Sequence, residues 1–205
     1  MIARLPPFAK GQTIGLLGGT FDPPHEGHLL VSAIALRRLR LDRLWWLVTP
    51  GNPLKSTAGL AETEARVAAA RRLAHDPRIA VTGFEAQIGS RSTFQTLAWL
   101  RRRAPGVHFV WIMGADNLGQ FHRWRRWRAI AALAPIAVID RPGSTLRALG
   151  GPAGVALSRW RRPEAFAARF ARLAPPAFLF LHGRRSSQSS SALRRQTASK
   201  PVSLS

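Results

Sequence analysis

Apolar residues along this chain gather in short runs, separated by stretches where they recur every three or four positions. The first run, residues 13–17, stops at Gly18-Gly19 and reads as a buried strand. Residues 25–39 follow with Leu29, Ala33 and Leu36 at helical spacing. Asp22 is the expected cap of that helix, and Pro23 and Pro24 suit its entrance, where a missing N–H costs little. A second strand over residues 44–48 ends at Thr49-Pro50-Gly51-Asn52-Pro53. The pattern then predicts a helix over 62–75, a strand over 79–82 and a helix over 92–103 with Phe94, Leu97 and Leu100 on its apolar side. A strand over 107–113 closes at Gly114, a helix covers 124–133, and strands cover 136–139 and 178–181. Residues 142–176, rich in Gly, Pro, Ala and Arg, carry no pattern that predicts elements.

Strands that alternate with helices imply parallel βαβ units, covered on both faces and right-handed in their crossovers. The fold class is therefore a doubly wound α/β sheet in a single domain. Such sheets bind ligands beyond the carboxyl ends of their strands, near a switch in strand order. Three informative segments fall at such ends: residues 18–28, 50–55 and 114–116.

Composition sharpens this picture by exclusion. The 205 residues contain no cysteine, which rules out disulfides, thiolate metal sites and a cysteine nucleophile. The N-terminus lacks the apolar stretch of a signal peptide, and the longest uncharged apolar run, 129–139, is too short to span a bilayer. A cytoplasmic protein with no membrane partner is expected. The charge, +21 from 31 Lys and Arg against 10 Asp and Glu, points to an anionic partner. Only Lys10, Lys55 and Lys200 are lysines, and the chain is rich in Ala, so a base-composition bias in the gene explains the excess equally well.

The stretch Gly18-Gly19-Thr20-Phe21-Asp22-Pro23-Pro24-His25-Glu26-Gly27-His28 is the most informative. Glycines after a strand let backbone N–H groups approach a phosphate, and a following helix N-terminus adds a favourable dipole. The glycines lack the spacing of a dinucleotide fingerprint, and Leu54-Lys55-Ser56 has no preceding glycine to make a Walker loop. His25 and His28 are three apart and so share one face of a helix at its first turn. His25-Glu26-Gly27-His28 is one residue short of a zinc-protease motif. A capping or buried pair is the plain alternative, but donation of N–H to a phosphate is the better use of this position.

GGTFDPPHEGH resembles the (H/T)xGH signature of the nucleotidyltransferase superfamily, and with Pro23 and His25 it is closest to the bacterial nicotinate-nucleotide adenylyltransferase family. Further resemblances follow the chain. They comprise Trp45-Trp46-Leu47-Val48-Thr49-Pro50-Gly51-Asn52-Pro53-Leu54-Lys55, the TxxTL-like Thr93-Phe94-Gln95-Thr96-Leu97, Gly114-Ala115-Asp116 with Phe121-His122-Arg123-Trp124, and Arg141-Pro142-Gly143. The last motif, Gln188-Ser189-Ser190-Ser191-Ala192-Leu193-Arg194, departs from the family's (I/L)SSTxIR at Gln188, Ser191 and Leu193. By composition the stretch after Gly183 reads as disordered; beside the first motif, residues 189–195 are assigned to the site. The resemblance thus implies a Rossmann-like domain over 1–195 and a disordered tail over 196–205.

The resemblance also implies a reaction: the phosphate of nicotinate mononucleotide attacks the α-phosphorus of ATP, and pyrophosphate leaves. His25 and His28 would hold the ATP phosphates. Gly18, Gly19, Thr20, Phe21, Lys55, Gly114, Asp116, Ser190, Ser191 and Arg194 would bind ATP. Mg²⁺ would be held through the triphosphate, with no protein ligand assigned. Trp124 would stack on the pyridine ring, Thr93 would meet its carboxylate, and Arg141 would serve the same substrate. The alternatives are an adenylyltransferase for nicotinamide mononucleotide or for phosphopantetheine, whose loop carries Thr where His25 stands. From another class comes a basic nucleic-acid-binding module using Arg101-Arg102-Arg103 and the arginines of 123–128, although no recognition motif accompanies that charge. No nucleic-acid partner is therefore expected, and an oligomer is left open. His75, His108, His122 and His182 match no motif and are assigned structural or surface roles.

Overall fold

The structure is a computed structural model and describes residues 3–51, 60–140 and 145–183. Its seven strands form one parallel sheet in the order β3-β2-β1-β4-β5-β7-β6. The strands are β1 (Thr13–Gly19), β2 (Arg43–Val48), β3 (Ile79–Thr82), β4 (His108–Gly114), β5 (Ile136–Ile139), β6 (Arg161–Arg162) and β7 (Phe178–Leu181). The helices are α1 (Glu26–Arg38), α2 (Thr63–Leu73), α3 (Phe84–Gln87), α4 (Thr93–Arg103), α5 (Ala115–Phe121), α6 (Trp127–Leu133), α7 (Thr145–Gly150) and α8 (Pro152–Leu157). A 3₁₀ stretch, Glu164–Arg172, precedes β7.

Both faces of the sheet are buried, which is why its strands read as unbroken apolar runs. Successive side chains point to opposite faces, so Ile14, Leu16, Trp45, Leu47, Trp111 and Phe178 enter one core with residues of α4, α5 and α6. Leu17, Leu44, Trp46, Val110, Ile112 and Leu179 enter the other, with residues of α1 and the 3₁₀ stretch. The adjacent Trp45 and Trp46 are thereby split between the two cores, each fully buried.

Strand order turns at β1, which is flanked by β2 on one side and β4 on the other. The position at which a switch-point site is expected lies beyond Gly19 and Gly114, the last residues of β1 and β4.

Three sequence expectations need correction. His25, not Asp22, is the N-cap of α1. Trp124 is not helical: it lies in the turn between α5 and α6, its N–H donating to the Phe121 carbonyl and its own carbonyl accepting from Trp127. Gly114 caps a helix, α5, that the pattern did not predict, and Asp116 lies inside its first turn. Seven residues with a central Gly119 are too short for a clear 3.6-residue signal. Part of the unread region resolves into α7, α8, the 3₁₀ stretch and β6. That last is a two-residue edge strand of exposed arginines, a charged edge that discourages pairing with another chain.

Candidate active site

The signature loop is shaped by what lies beneath it. A Cβ on Gly18 would fall 2.8 Å from Cη2 and 3.2 Å from Cζ2 of Trp111, so only glycine lets β1 pass over that ring. Phe21 holds φ +50°, a left-handed conformation unusual for an aromatic residue. Its ring is 1% exposed, stacked 5.0 Å from Trp46 and 4.5 Å from the ring of His28. Phe21 can thus serve a ligand only through its backbone, and its side chain acts as a prop under His28.

The two histidines form a reciprocal cap. Nδ1 of His25 accepts from the Gly27 N–H at 3.1 Å, and Nδ1 of His28 accepts from the His25 N–H at 3.2 Å. Their ring centroids are 3.9 Å apart. This is the geometry of a capping box, with imidazoles in place of the usual hydroxyl and carboxamide. It also settles the tautomers. With Nδ1 accepting, the neutral ring carries its proton on Nε2, so each histidine offers Nε2–H as a donor. A ring held in that state presents no lone pair at Nε2 for a metal, whereas an N–H donor suits a phosphate oxygen. The capping reading and the phosphate reading are therefore compatible, since the cap uses Nδ1 of each ring.

The site extends to neighbouring elements. Trp111 meets Trp124 edge to face at 6.2 Å, which links the floor under Gly18 to the half-buried Trp124. Phe121 contacts Trp124 at 5.3 Å, also edge to face. Thr93 is the first residue of α4, capped by Ser92, whose Oγ accepts from the Gln95 N–H. The guanidinium of Arg126 lies 4.8 Å over the ring of Phe94, tying the start of α4 to the chain that carries Trp124. Gly114 is buried and Asp116 exposed at the mouth of β4. The fold thus gathers Gly18, Gly19, Thr20, Phe21, His25 and His28 in one loop, with Gly114 and Asp116 at the adjacent strand end. Lys55, Arg141, Ser190, Ser191 and Arg194 lie outside the described residues.

Two groups beside this site were not singled out by the sequence. Arg66 in α2 is 3% exposed, with its guanidinium among backbone carbonyls. Its only sequence signal is its place one turn before the buried Ala70, where an apolar residue belongs. Glu85 of α3 is buried, and its Oε1 accepts from Thr96 Oγ1 at 2.6 Å. Thr96 Oγ1 also meets Ser90 Oγ at 2.8 Å. Burial pushes the Glu85 carboxyl up to about 7, against the pull of hydrogen bonds from Thr96 and Thr49. A third cluster involves a histidine the sequence left aside. Glu164 accepts from Arg38 Nη2 at 2.7 Å and pairs with His182 Nδ1, so the end of β7 is latched to the end of α1.

A glycine-rich turn and a helix N-terminus at the switch point of a parallel sheet define a nucleotide-binding α/β enzyme. The comparisons narrow that class. The cytidylyltransferase-like family profile matches residues 16–196. A relative from Methylorubrum extorquens, named probable nicotinate-nucleotide adenylyltransferase, is 64% identical over 181 residues, covering 88% of this chain and 98% of its own. One of the same name from Brucella suis is 54% identical over 191 residues, covering 93% and 98%. Two solved structures of a Plasmodium falciparum nicotinic acid mononucleotide adenylyltransferase, one complexed with APC and one with NaAD, share the fold. Their TM-scores are 0.65 and 0.64 at 16% and 17% identity, with 90% of this chain and 83% of theirs covered. The chain belongs to the cytidylyltransferase-like nucleotidyltransferases, and within them to the nicotinate-nucleotide adenylyltransferases. Among the described residues no helix is long and apolar enough to cross a membrane.

Proposed function

We propose that this enzyme transfers the adenylyl group of ATP to nicotinate mononucleotide, forming deamido-NAD and pyrophosphate, a step of NAD biosynthesis carried out in the cytoplasm. The observation that carries the reading is the reciprocal histidine cap at a helix N-terminus beside a glycine-rich turn, in which the cap uses Nδ1 of each ring and leaves the proton of the neutral ring on Nε2. The nucleophile is already an anionic phosphate oxygen, so the protein needs no activated serine or cysteine. Its work is to hold two repelling anions in line and to stabilise charge as it builds on the leaving pyrophosphate.

In this reading His25, His28 and the backbone of residues 18–21 bind the triphosphate. Lys55, Ser190, Ser191 and Arg194 complete that subsite, and Gly114 and Asp116 lie near the nucleoside. Trp124 stacks on the pyridine, the first turn of α4 at Thr93 meets the carboxylate, and Arg141 serves the acceptor. Magnesium, when bound, neutralises triphosphate charge. The donors described here are N–H groups suited to anions, so its ligands would be phosphate oxygens and water. The domain would run over 1–195, with 196–205 as a tail.

The test offers purified enzyme, ATP and Mg²⁺ to nicotinate mononucleotide, nicotinamide mononucleotide and phosphopantetheine in parallel, with pyrophosphate release as the readout. Nicotinate mononucleotide is expected to be the preferred acceptor. A strong preference for either of the other two would overturn the substrate assignment.

A further inference from the structure

Arg66 is a cation on the buried side of α2, and it makes no hydrogen bond to a carboxylate among the described residues. Nε donates to the Ala61 carbonyl at 2.7 Å. Nη1 donates to the carbonyls of Thr20 at 2.7 Å and Thr49 at 2.8 Å. Nη2 donates to Thr63 Oγ1 at 2.9 Å and to the Pro50 carbonyl at 3.4 Å. A guanidinium has five N–H donors in a rigid fork, and these five acceptors use the whole set. Asp22, Glu62 and Glu64 act on it through space, while desolvation holds its pKa below the ordinary arginine value. A well-packed apolar side chain would fill this volume without the cost of desolvating a charge. The stability of α2 therefore does not explain why a cation stands here.

The acceptors do explain it. Thr20 belongs to the signature loop, Thr49 and Pro50 follow β2, and Ala61 and Thr63 enter α2. Lys55 lies in sequence between Pro50 and Ala61, so one guanidinium grips both stems of the segment that carries it, together with the loop that carries the histidines. In a trans peptide the carbonyl and the next N–H point opposite ways. Drawing the Thr20 carbonyl onto Arg66 turns the Phe21 N–H to the other side of the loop. It also restrains the residue whose φ of +50° is otherwise disfavoured.

We infer that Arg66 is a positioning residue for the triphosphate subsite: it locks the signature loop onto the stems of the Lys55 segment and sets a buried positive charge behind the phosphates. This rests on the reading that ATP lies over residues 18–28.

The experiment compares Arg66→Lys, Arg66→Met and Thr63→Val with wild type, by ATP titration without the second substrate and by steady-state kinetics. Arg66→Lys keeps the charge with three donors and no fork, and is expected to weaken ATP binding and raise its KM about 10-fold. Arg66→Met is expected to do so about 100-fold, the two figures spanning the worth of one charge-assisted hydrogen bond. The KM for nicotinate mononucleotide should stay within about twofold in both, because the clamp touches only the ATP side. Thr63→Val strands one N–H while keeping the side-chain shape, and a few-fold loss of ATP affinity is expected at temperatures where the variant is fully folded. Unchanged ATP binding in folded Arg66→Lys and Thr63→Val overturns the inference, even if Arg66→Met does not fold. So does an equal loss for both substrates that tracks the unfolded fraction. A wild-type protein that adenylylates no acceptor would overturn the functional reading but not the clamp, which the ATP titration judges separately.

Discussion

Replacing Glu85 by Gln removes a buried carboxyl and leaves its shape. Glu85 lies under the start of α4, with Oε1 on Thr96 Oγ1 at 2.6 Å and its own carbonyl accepting from the Ser90 N–H at 2.9 Å. Burial raises the carboxyl from 4.5 to about 7. Between those values the folded protein binds more protons than the unfolded chain, so stability must fall as pH rises. The contribution is fully present below pH 4.5 and fully lost above about 7. A shift of this size corresponds to about 3 kcal/mol at 1.36 kcal/mol per unit. Gln supplies the same acceptor and a comparable donor without titrating. The assay is urea unfolding of both proteins between pH 4.5 and 8.5. At an m-value of about 3 kcal/mol/M, the midpoint of Glu85→Gln should rise relative to wild type by ~1 M across that range. Parallel midpoint curves for the two proteins would refute the assignment of a buried, raised carboxyl.

Two further outcomes follow from the same geometry. Asn is a good N-cap, so His25→Asn should keep the thermal stability of α1 while kcat falls about 10²-fold, the worth of one transition-state donor. A variant that loses stability but not turnover would assign His25 to capping alone. Gly18→Ala drives a methyl to 2.8 Å from Trp111, which cannot yield without moving Trp124. A stability loss of about 1–3 kcal/mol and a raised KM for nicotinate mononucleotide are expected by thermal melts and kinetics.

Much of this enzyme could be read from the order of its residues. Six of the seven strands fall in apolar runs, because a parallel strand covered on both faces has no polar alternation to blur its signal. The seventh, Arg161–Arg162, has no such run: it is an edge of two exposed charges and exists only because β7 offers it partners. The Gly18–His28 stretch was legible as a candidate anion site because its residues are contiguous, running from the end of β1 into the start of α1. Trp124 was misplaced into a helix because its neighbours in the sequence resemble helix formers, whereas the ring is held by Trp111 and Phe121.

Local order thus sufficed for the parallel α/β class and the histidine motif, since each depends on residues a few positions apart. Folding added what depends on distant partners. The Nδ1 bonds that tie each histidine into the cap follow from where α1 begins, one residue after His25. The charge state of Glu85 depends on walls built by β2, α3 and α4. Arg66 was one arginine among many until the fold carried the Thr20 carbonyl, 46 positions away, to within 2.7 Å of it. A guanidinium gains meaning from its acceptors, and backbone carbonyls leave no trace in the identity of the residues that bear them.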